Sequence, residues 1–301
     1  MNWCTVAPLE YDGALDVPFD LGNDVLLCAR PDWLTQDEIT YALGDYDRTL
    51  LETSYYVLMQ EYNASSFGEP DSAWAGERPR SKQQKAEEAL NLADTALWLA
   101  KPAPIGFRRV VVAHHPSGLW QRVQFGWANP LCCRSLDIEN EYERSDLQLA
   151  KELNCALLTV GRQQAIWIAA RTLWLALVTR EWPIRYLLLW AALETLFGPE
   201  DGREITYRIA QRLAFFISED RTEAKKRFQM CKKAYEWRCR VVHGMRLKKL
   251  KPQESEGLMH ESEFLIRLSI RRILKNKSLM MEINGRNRED FLDNLVFSNN
   301  K

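Results

Sequence analysis

The ten residues Tyr235-Glu236-Trp237-Arg238-Cys239-Arg240-Val241-Val242-His243-Gly244, with the two helical patterns that lead into them, decide how this chain is read. Residues 185–197 are almost wholly apolar, with Glu194 as the one acid, which is the pattern of a helix buried on most of its sides. Residues 204–217 place Ile205, Ile209, Leu213 and Phe216 at helical spacing. A third helix is predicted from about Thr222 to His243, ending at Gly244, because glycine accepts the backbone conformation that follows a helix end. Arg238 and His243 then lie in the last two turns, about 140° apart around the axis. They share one pocket only if the helix end loosens or the pocket wraps around it.

Working outward, Pro183 is expected in the first turn of the helix over 185–197. Residues 143–158 and 161–180 read as two helices split near Gly161, or as one long kinked helix. Residues 253–275 read as the last bundle helix and 288–297 as a short tail helix. Toward the N-terminus, residues 107–113 and 119–127 read as two strands joined by the turn Pro116-Ser117-Gly118. Residues 82–100 carry a helical stripe of Ala86, Ala89, Leu90, Ala93 and Leu97, and 63–80 read as a loop rich in Gly, Pro and Ser. A helix is expected from about 36 to 62, broken at Gly44, and Val25–Ala29 as a short strand. Residues 1–31 otherwise give no firm pattern. The fold class is therefore mainly α: an α+β region over 1–142 containing a β-hairpin, then a helical bundle domain over 143–301.

Composition narrows the function classes. With 46% hydrophobic and 27% charged residues, the chain is an ordinary globular one. The net charge of −1 excludes a generic polyanion binder. The distribution is uneven, however. From Arg221 to Lys251 there are twelve Lys or Arg against two acids, Glu223 and Glu236, a local net of +10. Such a block suits phosphate binding, or else a solvated helix face balanced by acids elsewhere. Seven cysteines without regular spacing argue against a disulfide framework and for a reducing, cytoplasmic setting. No signal peptide is evident, and the apolar tracts 165–178 and 186–198 are too short to span a bilayer, so no membrane partner is expected.

His114-His115 and Cys132-Cys133 are adjacent pairs, whereas structural zinc usually takes ligands two to four residues apart. No phosphate-binding glycine loop or H-E-x-x-H motif occurs. No metal or cofactor is expected. Glu194 must be paired if it lies inside an apolar helix, and Arg238, Arg208 and Arg212 are its candidate partners. Tyr235 lies three residues before Arg238 on the same helix face and can support it. Lys233 and Arg240 are candidate RNA phosphate contacts. Cys239 is either a thiol activated by its arginine neighbours or simply a small buried side chain. On spacing alone, Arg238 reads as a helix-surface charge and His243 as a helix C-terminal cap.

Three blocks in order, Trp190-Ala191-Ala192-Leu193-Glu194-Thr195-Leu196-Phe197, then Glu204-Ile205-Thr206-Tyr207-Arg208-Ile209-Ala210-Gln211-Arg212, then Tyr235 to Gly244, resemble the HEPN superfamily, and within it the Apea-like branch. The resemblance covers residues 157–276, and Arg238 with His243 matches the family's R-x4-H signature. It implies a bundle of four or five helices, often a homodimer with Arg and His lining a cleft between subunits. It also implies a metal-independent endoribonuclease acting on RNA, a toxin or antiviral-defence effector in many relatives, sometimes held by a regulatory protein partner. In that chemistry His243 exchanges the proton of the 2′-hydroxyl and Arg238 stabilises the crowded phosphate, leaving a 2′,3′-cyclic phosphate. Glu194, Tyr235 and Cys239 would support the pair. Active members commonly carry Asn, Asp or His after the Arg, where this chain has Cys239. That departure favours the alternative, a non-catalytic HEPN module for dimerisation or for binding a partner or RNA.

Overall fold

In the computed structural model, which describes residues 2–41, 43–64, 81–115, 120–127, 141–179, 181–243 and 252–297, the chain divides into two units, Met1–Cys155 and Ala156–Lys301. The first contains β1 (Asn2–Glu10), β2 (Phe19–Asp20), β3 (Val25–Ala29), a 3-10 turn over Asp32–Thr35, α1 (Asp37–Thr40), α2 (Asp45–Thr53), β4 (Tyr56–Asn63), α3 (Lys82–Ala100), β5 (Gly106–Phe107), β6 (Arg109–His115), β7 (Gln121–Trp127) and α4 (Arg144–Leu158). The strands form one antiparallel sheet in the order β2-β3-β4-β1-β6-β7, with β5 also paired to β1.

β1 is the middle of that sheet, and Trp3 through Leu9 are all buried. Its two sets of alternate side chains serve two layers. Cys4 and Val6 join Val57, Val111 and Ala113 beneath Leu34, Ile39 and Leu51 of the 3-10 turn, α1 and α2. The opposite face lies toward α3, which packs on β1, β3 and β4. Pro8 cannot donate to a ladder, which ordinarily bars proline from a central strand. Here it falls in a break: β6 pairs with Asn2–Val6 and β5 with Leu9–Glu10.

The structure bears out the mainly α class with an α+β N-terminal region, and it enlarges the expected hairpin into a seven-stranded sheet. β6 and β7 pair as anticipated, while their connecting turn at 116–118 lies outside the described residues, as does the loop at 65–80. α3 begins at the expected residue, secured by a Ser81/Gln84 capping box. The helix expected over 36–62 is corrected: it ends at Thr53, and 56–63 is β4. The run Tyr56-Val57-Leu58-Met59 is aromatic and β-branched enough to pair along β1 for eight residues, from Asn2↔Asn63 to Leu9↔Tyr56.

The division between units falls after Cys155, and α4 is bound into the first unit. Lys151 Nζ meets Asp20 Oδ2 at 2.7 Å, and Asn154 Nδ2 donates to the Leu21 carbonyl at 2.9 Å. Ahead of α4, the Tyr142 hydroxyl donates to the Leu97 and Lys101 carbonyls at 3.1 and 2.8 Å. Gly22, at φ +84°, lets the chain turn tightly against α4; a Cβ there would lie 2.5 Å from Cys155 Sγ.

The second unit contains α5 (Ala165–Leu177), α6 (Trp182–Phe197), α7 (Ile205–Ile217), α8 (Arg221–Val242), α9 (Pro252–Leu274), α10 (Lys277–Asn284) and α11 (Arg288–Asn294). α5 is separate from α4, as one of the two readings had it. α6 packs against α5, α7, α8 and α9, as its all-round apolarity requires. α10 was not anticipated; Asn276 caps it by accepting from the Ser278 and Leu279 amides at 2.9 and 3.2 Å. α11 clamps the end of α6. Arg288 donates to the Thr195 and Gly198 carbonyls at 3.1 and 2.7 Å, capping the carbonyls a helix end leaves unpaired. Arg212, 1% exposed, donates to the Phe197 carbonyl and to Glu289 and Asp293.

Gly22→Ala is expected to destabilise the first unit by roughly 1–3 kcal/mol for the left-handed backbone, plus the steric conflict with Cys155. Gly202→Ala, at φ +66° with nothing within 4 Å of the new Cβ, carries the backbone cost alone. Urea unfolding of the two variants measures the difference.

Candidate functional site

The site is built where α8 passes the C-terminal half of α6. Asp220 starts α8 by accepting from the Glu223 amide at 2.8 Å, and Arg227 pairs with Glu223 one turn on. Ala224, Cys231, Ala234 and Tyr235 then form the buried face. Cys231 is pushed up to about 12 by burial, which makes it an inert core thiol. The same face is locked to α6 by Tyr186, whose hydroxyl donates to the Ala234 carbonyl at 2.6 Å. The Trp190 ring meets Tyr235 edge-on at 5.3 Å and 84°.

Those contacts bring Arg238 to Glu194. Nη2 donates to Oε2 at 3.0 Å, and Nε lies 2.7 Å from Oε1. The second approach is close but off the N–H direction, since neither Nε nor Oε1 meets hydrogen-bond geometry with any partner. The pair is thus one aligned charge-assisted hydrogen bond and one close charge contact, with both side chains about a quarter exposed. Of the three arginines open to Glu194, Arg238 is the one that takes it. Arg208 and Arg212 are drawn to Glu289 and Asp293 on α11 instead.

Tyr235 lies against the pair, with the Arg238 guanidinium 5.5 Å from its ring centroid. Burial, and then the negative charge of Glu194, push its phenol well above the ordinary range, so it stays a neutral donor. Cys239 is a half-buried free thiol whose carbonyl accepts from the His243 amide at 3.1 Å.

His243 is not drawn into this cluster. α8 remains helical through Val242 and His243 is its exposed C-cap, so the helix does not loosen before the histidine. Arg238 and His243 therefore keep their separation of about 140° in azimuth and about 7.5 Å along the axis. Arg238 looks toward α6. His243 shares the outer face of α8 with Lys233 and Arg240, both exposed. The Arg240 guanidinium lies 4.6 Å over the ring of Trp237, a contact that sequence spacing of i to i+3 could have signalled. Gly244 lies outside the described residues.

Of the residues weighed for zinc, His114 packs 5.1 Å from Trp3 and His115 5.0 Å from Trp120, while Cys132 and Cys133 lie outside the described residues. Among the described residues, no group of His, Cys, Asp and Glu is arranged to hold a metal ion, and no helix is long and apolar enough to cross a membrane. The chain matches no protein-family model, and no curated protein or solved structure is significantly similar to it.

Glu194→Gln is expected to cost about 1–3 kcal/mol, between an exposed pair and a fully buried one, because water still reaches both groups. In a double-mutant cycle with Arg238→Gln, followed by urea unfolding, the coupling energy is expected to be at least about 0.5 kcal/mol.

Proposed function

We propose that this chain is a metal-independent endoribonuclease of the HEPN type, acting as a homodimer. The observation that carries the reading is the Glu194–Arg238 pair. It holds a guanidinium at a fixed place on α8, one turn and a half before an exposed histidine, on the helix whose sequence resembles the R-x4-H block.

Glu194 engages Nε and Nη2 and leaves the Nη1 edge of the fork for a phosphate oxygen. His243 takes the 2′-hydroxyl proton. The 2′-oxygen attacks the adjacent phosphorus, the bond to the 5′-oxygen breaks, and that oxygen leaves with a proton from the solvent or from the imidazolium of a neighbouring copy. The products are a 2′,3′-cyclic phosphate and a 5′-hydroxyl. The site is composite: Arg238 of one copy and His243 of another converge, since within one α8 the two groups diverge by about 140°. The first unit senses, binds or restrains, in a toxin or antiviral-defence role inside the cytoplasm, where a regulatory protein partner would act on it.

A second reading is favoured by two features: Cys239 follows the arginine, and Arg238 is already neutralised by Glu194. In it the helical unit is a non-catalytic module for dimerisation or for binding RNA or a protein.

In EDTA, the purified chain is expected to cut labelled RNA to 2′,3′-cyclic ends, and Arg238→Ala or His243→Ala to slow this at least about 100-fold. Mixing the two variants restores up to about a quarter of the rate if the site is shared between two symmetric copies. Absence of metal-free cleavage leaves the non-catalytic module, and full activity of His243→Ala removes the histidine from the mechanism and with it the R-x4-H chemistry.

A further inference from the structure

α8 has a second face that the Glu194–Arg238 pair does not use. Its buried side is Ala224, Cys231, Ala234 and Tyr235, and Phe228 meets Tyr207 edge-on at 5.3 Å on that flank. Opposite lie Lys225, Lys226, Gln229, Lys232, Lys233, Glu236, Arg240 and His243, every one of them exposed. At 100° per residue these eight fall within an arc of about 120°, and they span about 27 Å of helix. Lys226, Lys233 and Arg240 follow one another at seven-residue intervals, about 10.5 Å apart.

Several arginines of the second unit are already engaged. Arg185, Arg208, Arg212, Arg227 and Arg238 each sit against an acid. Arg272 and Arg288 each donate to backbone carbonyls. Among the described residues, no ion pair engages Lys225, Lys226, Lys232, Lys233 or Arg240, and Glu236 is the one acid on the face. Clustered like charges on one helix repel, a cost that a bound polyanion removes.

We propose that the outer face of α8 is a rail for the phosphates of single-stranded RNA, leading the strand from Lys225 and Lys226 past Lys232 and Lys233 to Arg240 and His243. The rail deepens the nuclease reading, on which it rests only in making the bound strand the substrate. The Trp237 ring, with the Arg240 guanidinium 4.6 Å from its centroid, favours a single strand, because an unpaired base can pack on an aromatic ring or a guanidinium whereas a paired base cannot.

The test uses the full chain carrying His243→Ala and a fluorescein-labelled single-stranded RNA, titrated by anisotropy from 50 to 300 mM NaCl. Five phosphate contacts predict a slope of log K against log salt near about −3.5. Adding Lys226→Gln and Lys233→Gln is expected to flatten the slope by about 1.4 and weaken binding about tenfold at low salt. The same change at the exposed Lys275 and Lys277 leaves both unchanged.

Equal losses from the two lysine pairs would overturn the rail, as would a duplex binding at least as tightly or binding to phosphatidylserine vesicles but not to RNA. Rail-dependent binding by a wild-type chain that cuts nothing keeps the rail and ends the nuclease reading. Cleavage with an unaltered slope in the rail variant does the reverse.

Discussion

A carboxylate inside an apolar helix has to be answered by a cation, and Glu194 is answered by Arg238. Much of the second unit is consistent with keeping that answer unique. Two other arginines with access to the end of α6, Arg208 and Arg212, are held by Glu289 and Asp293, so they do not compete. Arg288 caps the carbonyls just beyond Glu194 and steadies the helix end that carries it. Tyr186 and Trp190, about two turns and one turn earlier on α6, hold α8 in register through the Ala234 carbonyl and the Tyr235 ring. The pair is a register mark between α6 and α8 as well as a site.

The same helix serves two environments. Its inner face is aromatic and neutral, with the Tyr235 phenol held protonated by burial and by Glu194. Its outer face is a run of exposed cations ending at His243. A regular helix cannot turn Arg238 and His243 to the same side, so any chemistry that uses both has to gather them from more than one helix end.

The helices of the second unit were legible because their apolar positions recur at 3.6-residue spacing and their ends carry plain signals, such as Pro183 in the first turn of α6. Glu194 was legible as a residue needing a partner; which arginine it takes was not, because that depends on α11, more than ninety residues further on. The sheet was harder. β1 is buried on both faces and shows no alternation, and Pro8 argues against a central strand until the break between β6 and β5 is seen. β4 was hidden for a related reason. Its apolar residues also fit a helical stripe continuing from α2, and only the pairing partner settles the period. α4 has an ordinary amphipathic pattern that says nothing about which unit supplies its partner surface; Asp20 and the Leu21 carbonyl do.

The place of β1 has a consequence for synthesis. Trp3 faces Tyr62 on one side and His114 on the other, so this apolar strand acquires its second neighbour only after more than a hundred further residues have been made. At ribosomal speeds of about 5–20 residues per second, that is a wait of at least about 5 s. For that interval the nascent chain carries an aggregation-prone edge with open amides and carbonyls. The first unit is therefore the part of the molecule whose yield depends on what shelters the growing chain, whereas the second, with neighbouring helices α5 and α6 packing on each other, can condense almost as fast as it emerges.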